Sequence, residues 1–448
     1  MEKLKYERPV INKINAGVTD KFGMGHKIPI IQELEGNKIS DLTNKYGSPL
    51  FVISEKKIRD KYNTAKQAFT TRYPKVQFAW SYKTNYLNAV CKVFHSEGSW
   101  AEVVSGFEYD KAIENGVDGK NIIFNGPDKS IADLTKAIKN GSYIHIDHFD
   151  ELFDIIKLTE TVSEKPKVAI RVNMDTGIYP KWDRFGFNYE NGEAWNALNR
   201  IMLSGKLELV GLHTHIGTYI MAPEAYGVAA SKLADLAINV DKKFNHKIKY
   251  IDMGGGFASD NTLKGAYLPG KDTCPSFDDY ADSITNALIN SNLDTQNLPT
   301  LILETGRALI DDAGDVIATV LANKRLADGR RSTIIDIGVN MLFTSFWYDH
   351  EIYPTKQTGS HSEDTTIFGP LCMNIDVVRS AIKFPLIQKN DNVVIKRVGA
   401  YNMTQWMQFI TMRPKIILID TKGESHIIRE NETGQTLTAM EKTPTHLT

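Results

Sequence analysis

Cysteine is scarce, with three residues (Cys91, Cys274 and Cys372) in a chain of 448. They are too few and too scattered for a disulfide framework or a paired-cysteine metal site. A charge excess of either sign is also missing. The 53 basic and 54 acidic residues leave a formal net charge of −1. The two signs are interspersed, which argues against nucleic acid or an anionic membrane as partner. No apolar run approaches the length of a membrane span, and residues 1–8 are charged where a secretory signal would be apolar. Low-complexity segments and repeats are absent. What remains reads as a cytoplasmic protein of ordinary globular composition, long enough for two domains.

What is present is a rhythm. Short runs rich in β-branched and aromatic residues recur at 77–83, 100–105, 121–126, 143–148, 167–173, 209–217, 250–254 and 300–306. Segments with helical spacing separate them, among them 85–96, 107–116, 130–140, 150–161 and 276–290. An open doubly wound sheet would give the same alternation, but a count of eight favours a (β/α)8 TIM-type barrel over residues 52–312. From about Asp315 the strands (316–322, 332–337, 392–398 and 415–419) come without long helices between them. They predict a C-terminal β domain, a sandwich or barrel, over 313–448. The segment 1–51 carries one helix, 38–46, followed by a strand at 49–54, and is expected to pack with that β domain.

In such a barrel, chemistry gathers at the C-terminal ends of the strands. Read in order, those ends offer Lys83, then Glu102 and Ser105, then His213 and His215, then Gly254, Gly255 and Gly256, and last Glu304, Gly306 and Arg307. Each has an ordinary explanation. A lysine leaving a strand is usually a surface residue, and a functional one needs its amine pKa lowered by desolvation or charge. A glycine triplet can be only a tight turn, although its N–H groups can also cradle a phosphate. Glu304 says more, because a carboxylate in the apolar run LILETG needs a partner, such as a ring N–H or an arginine. His213 and His215, two apart, are expected on one strand face. No third ligand stands out beside them, so no metal is expected, and His215 could stack on a planar ligand. Together these residues describe a pocket for pyridoxal 5′-phosphate.

The motifs Ser81-Tyr82-Lys83-Thr84-Asn85, Glu102-Val103-Val104-Ser105-Gly106, His213-Thr214-His215-Ile216-Gly217, Gly254-Gly255-Gly256, Glu304-Thr305-Gly306-Arg307, Gly369-Pro370-Leu371-Cys372 and Gly399-Ala400-Tyr401 resemble, in order, those of the fold-type-III pyridoxal-phosphate decarboxylases. That family acts on diaminopimelate, ornithine, arginine and related substrates, and the resemblance spans about Tyr46 to Pro414. It implies that Lys83 holds the cofactor as a Schiff base with Glu102 beside it, that His215 stacks on the ring, and that Glu304 pairs with the ring nitrogen. Thr218, Gly255, Gly256, the Gly306-Arg307 backbone and Tyr401 would bind the phosphate. Cys372 would reach the active site of a neighbouring subunit and reprotonate the product, which implies a homodimer with shared sites. Substrate would meet Arg307, Tyr348, Met373 and Asn374.

The departures fall where substrate is read. Diaminopimelate decarboxylases typically continue Cys-Glu-Ser where this chain has Cys372-Met373-Asn374. They carry an arginine-proline where it has Thr344-Ser345. Losing a carboxylate for the distal amine and an arginine for the distal carboxylate points to a different substrate. Trp347, Trp406, Met373 and Met407 suggest a larger or less charged far end, or equally ordinary packing. The competing functions are an amino-acid racemase on the same fold and a non-catalytic regulatory relative. Alanine racemases usually place an arginine on the ring nitrogen, so Glu304 argues against the first. Retention of Lys83, Glu304, Cys372 and Tyr401 argues against the second.

Overall fold

The computed structural model describes residues 28–358 and 361–447. Residues 1–8 and the remainder of the stretch before Ile28 lie outside that range. Eight strands form a closed parallel barrel: β1 Val76–Ser81, β2 Trp100–Val103, β3 Ile122–Phe124, β4 Tyr143–Ile146, β5 Lys167–Asn173, β6 Glu208–His213, β7 Tyr250–Asp252 and β8 Thr300–Leu303. Each pairs with the next, and β8 closes onto β1. The barrel predicted from the count of eight is therefore the fold.

Helices follow the strands because local chemistry starts them there. Ser54, Ser105 and Ser130 each accept a backbone N–H at the head of the helix they precede, and Ser276 completes a capping box with Asp279. On the outer faces of the strands, Phe78 and Trp80 pack into the strand–helix core, with Trp80 stacked on Phe94 at 3.7 Å.

The inner face is organised in two rings. Ala79, Ile123, Ala169, Val210, Tyr250 and Ile302 form their own apolar cluster, with Trp100 and Tyr143 packed against it. That is one residue from every strand. Side chains alternate along a strand, so two residues further on the same face returns. There stand Ser81, Glu102, Asn125, His145, Arg171, Asp252 and Glu304. The sixth strand reaches the same level by a different step. Its register against β5 shifts between Leu209 and Gly211, and this bulge brings His213, three residues after Val210, into the polar ring.

Among the described residues, the second sheet has nine strands built around the long Gly314–Arg325. The strands expected at 332–337, 392–398 and 415–419 appear as Arg331–Ile335, Asn392–Lys396 and Ile416–Ile419. Leu50–Ser54 pairs antiparallel with Gly314–Arg325 and parallel with Ile416–Ile419. The N-terminal segment thus contributes a central strand to this sheet and runs past position 51, where patterning placed the boundary. Ser362–Phe368 and Val377–Pro385 form a further hairpin that patterning missed. Their polar outer faces interrupt the apolar signal. Among the described residues, no helix is long and apolar enough to cross a membrane.

Candidate active site

A cavity of about 860 Å³ opens above the polar ring. Of the residues singled out from the sequence, Lys83, His215, Thr218, Gly255, Gly256, Glu304, Gly306, Arg307, Tyr348 and Tyr401 line it. Glu102 lies directly behind Lys83, fully buried. Cys372, Met373 and Asn374 do not reach this cavity. Asp376 accepts the N–H groups of Val339 (2.8 Å) and Leu371 (2.7 Å), folding residues 369–376 into a tight loop that leaves Cys372 exposed.

Lys83 follows β1 on a single 3₁₀ turn, Tyr82–Thr84. Its side chain is 39% exposed, and its Nζ donates to both Glu102 oxygens at 2.9 Å. The expectation of a lowered amine pKa is not met. Burial pulls it down, but Glu102 and then Glu304 outweigh that and hold the ammonium well above its usual range. The turn is tied to the second domain. Thr84 O accepts the N–H of Tyr401, Lys83 O accepts Thr404 Oγ1 at 2.8 Å, and Asn85 Nδ2 donates to Gly399 O at 3.0 Å. These bonds hold Tyr401, at φ 63°, over the cavity.

Glu304 is the counterpart of that lysine. Burial first, then the charges of Asp252 and Glu102, push its carboxyl well above the ordinary range. Asn125, which the sequence reading passed over, holds both acids. Its Nδ2 donates to Glu304 Oε1 at 2.7 Å and to Glu102 Oε1 at 3.0 Å. A carboxyl forced to keep its proton in this floor is satisfied by a cationic ring N–H, which would let it ionise. The residues present therefore fit a protonated pyridine.

His213 and His215, expected on one strand face, both line the cavity, although β6 itself ends at His213. His215 accepts the Gly255 N–H at Nδ1 (3.1 Å), and burial holds its pKa well below normal. It is thus a neutral imidazole with its proton on Nε2. The same bond uses the Gly255 donor, one of those expected for the phosphate. Gly256, at φ +103°, has no room for a side chain, since a Cβ would meet Gly217 O at 2.2 Å.

His213 also has neighbours that the sequence did not reveal. Donor atoms of His145, His213, Asp252 and Glu304 lie within 4.8 Å of one another, so the ligands judged absent beside the histidine pair are supplied by other strands. Three of the four hold hydrogen bonds, while His213 Nδ1, His145 Nδ1 and Asp252 Oδ2 are buried without a hydrogen-bond partner among the described residues. His145 Nε2 bonds Tyr250 OH at 2.8 Å, Asp252 accepts the Gly254 N–H at 2.8 Å, and Glu304 accepts from Asn125. The cluster is the polar floor of the cavity.

At the other end, Arg307 is buried and donates to Tyr348 OH. Its guanidinium lies 4.6 to 5.8 Å from the ring centres of Tyr401, Tyr348, Trp347 and Tyr219. Thr344 is buried and bonded to His350 (2.8 Å) and Asn402 (3.0 Å), so it takes no part in the cavity wall. Of the four large residues suggested for the far end, only Trp347 lines the cavity. Trp406 packs on Phe51 and under Arg413 and Arg429.

Comparison with known proteins agrees with this geometry. A family model described as "Pyridoxal-dependent decarboxylase, pyridoxal binding domain" matches residues 55–311, more than half of the chain. The diaminopimelate decarboxylase of Methanocaldococcus jannaschii is 29% identical over 432 residues, covering 92% of this chain and 95% of that protein. That of Bacillus subtilis is 25% identical, covering 91% and 94%. The crystal structure of the M. jannaschii enzyme superposes with a TM-score of 0.86 at 28% identity, over 94% of this chain and 99% of that one. The shared barrel, the β second sheet and the matched cofactor domain lead to one conclusion: this chain belongs to the family of pyridoxal-phosphate-dependent decarboxylases.

Proposed function

We propose that this protein decarboxylates an amino acid at its α-carbon, that its substrate is not meso-diaminopimelate, and that it works as a homodimer with shared sites. The observation that carries the reading is Glu304, a buried acid with a raised pKa, in one cavity with Lys83. Pyridoxal phosphate supplies an electron-accepting ring for the pair left behind when CO2 departs. Glu304 would hold a proton on the ring nitrogen and keep that ring electron-poor. Glu102 would orient the Lys83 amine, the group that would hold the cofactor. The neutral His215 ring would stack on the cofactor. Thr218, the Gly255-Gly256 turn, the Gly306-Arg307 backbone and Tyr401 would hold its phosphate, with backbone N–H groups as the main donors.

Cys372 would deliver a proton to the α-carbon across a dimer interface. Its exposure supports this, as does an adjoining apolar surface: Ile375 is 53% exposed, and Phe409, Ile410 and Met412 are exposed beside it. Asn340, next to the Val339 that anchors the Cys372 loop, bonds Phe409 O and Thr411, so the two exposed segments are braced together. Met373 and the buried Thr344 support a substrate other than diaminopimelate.

The test is an absorption spectrum of the protein with added pyridoxal phosphate, followed by CO2 release from a panel of amino acids. A band lost in Lys83→Ala supports the cofactor's attachment, and no band at all overturns it. Turnover of meso-diaminopimelate would overturn the substrate reading. Mixing inactive Lys83→Ala and Cys372→Ala subunits should restore activity if sites are shared, and should restore none if each subunit is self-sufficient.

A further inference from the structure

The walls of the cavity are unevenly charged. Lys83, Arg171, Lys264 and Arg307 line it, and Glu304 is its one acid among the described residues. Part of that charge is already matched. Lys83 is taken by Glu102, Arg171 has Asp147 at 3.9 Å, and Glu304 lies on the floor under Asn125. Arg307 and Lys264 are the surplus. Among the described residues neither has a carboxylate within ion-pair distance, and Arg307 is only 7% exposed. A buried cation held by a phenol and aromatic rings calls for an anion. The cofactor's phosphate, assigned above to the Gly306-Arg307 backbone and Tyr401, would serve Arg307, which leaves Lys264 for the substrate.

We propose that the substrate's side chain ends in an anionic group, a carboxylate in the simplest case, and that Lys264 reads it. This rests on the decarboxylase reading above and specifies its substrate class. A distal amine would have to leave water for a wall without a free acid. The Cys372 loop does not provide one from its own residues, since Met373 and Asn374 are uncharged and Asp376 spends its carboxylate on two backbone N–H groups.

Lys264 is exposed on the loop between β7 and the helix Phe277–Ile289, and that loop is braced from both sides. Leu263 bridges Tyr348 in antiparallel fashion. Lys264 N donates to Trp347 O, and Asp349 N donates to Thr262 O, both at 2.8 Å. At the loop's base, Asn261 Nδ2 bonds Asp311 and Arg397 O at 2.9 Å each. The backbone of Lys264 is thereby fixed beside Trp347 and Tyr348, the residues that also ring Arg307. The segment that lacks an arginine at Thr344-Ser345 thus receives a cation from a different loop.

The experiment compares three amino acids of equal chain length on the cofactor-loaded protein: racemic 2-aminoadipate, norleucine and lysine. The readouts are the perturbation of the cofactor absorption band on binding and CO2 release. 2-Aminoadipate should exceed lysine at least about tenfold in kcat/KM or apparent affinity, with norleucine between them. Lys264→Glu should move the aminoadipate-to-lysine ratio about tenfold or more toward lysine, and Lys264→Arg should preserve it. Preference for lysine, an equal response to all three, no response to any, or a ratio unmoved by Lys264→Glu would each overturn the inference. Absence of the cofactor band would instead sink the decarboxylase reading on which it rests.

Discussion

The two rings inside the barrel are built by the same eight strands and differ in almost everything else. The lower ring holds Ala79, Trp100, Ile123, Tyr143, Ala169, Val210, Tyr250 and Ile302. The upper, roughly 6.6 Å along the strands for a two-residue step, holds Ser81, Glu102, Asn125, His145, Arg171, His213, Asp252 and Glu304. Burying a large apolar side chain in the lower ring contributes about 1.5–3 kcal/mol. The upper ring is equally enclosed, yet its side chains are charged or polar, and burial there raises Glu304 and Asp252 and lowers His145 and His213. One layer stabilises the barrel, and the other is strained in protonation until a ligand relieves it.

That contrast can be broken on one strand. Glu304→Gln should lower kcat by about 10²–10⁴-fold while leaving the melting temperature of the cofactor-free protein unchanged or higher, because a crowded buried acid is removed. Ile302→Ala, two residues earlier, should do the reverse. It should cost about 2–5 kcal/mol in denaturant unfolding with near-normal kcat for the folded fraction. Equal loss of stability in both variants would show that the rings are not separable.

Asn125→Leu sharpens the picture. Removing the amide that serves both acids leaves them without its donation, at a cost of about 1–3 kcal/mol, and kcat should fall about tenfold or more. The pH at which the cofactor band titrates should shift with it, which loss of packing alone would not cause.

The smallest effect is a slope. Glu304 and Asp252 have raised folded-state pKa values, so the folded cofactor-free protein keeps protons that the unfolded chain has lost. Its stability should therefore fall as pH rises above the ordinary carboxylate range toward those raised values. Glu304→Gln should flatten part of that slope in urea titrations at several pH values.

Much of this was legible beforehand. Eight apolar runs announced the barrel, and Lys83, Glu304 and Arg307 announced themselves by being charged at strand ends. Asn125, His145, Arg171 and Asp252 were not legible as a group. Each is a single polar residue within or beside an apolar run, and only closure of the sheet shows that they share a level. Asn125 lies in the run 121–126 but is uncharged, and it drew no notice. Period-two alternation places His213 and His215 on one face, and both line the cavity although the strand itself ends at His213. Cys372 was conspicuous as a motif, but its outward position depends on Asp376 gathering the loop's N–H groups, a contact with no signature in residue spacing.

The bulge between Leu209 and Gly211 makes the polar ring sensitive to counting. Inserting one residue after Gly211, just past the bulge, would leave composition, charge and the apolar run of the sixth strand almost unchanged. It would nevertheless exchange the faces of everything that follows, turning Leu212 toward the cavity floor and His213 toward the helices. A variant so made would pass any test of hydrophobic content and still arrive at the floor with an alkyl group beside two carboxyls, an error of phase rather than of chemistry.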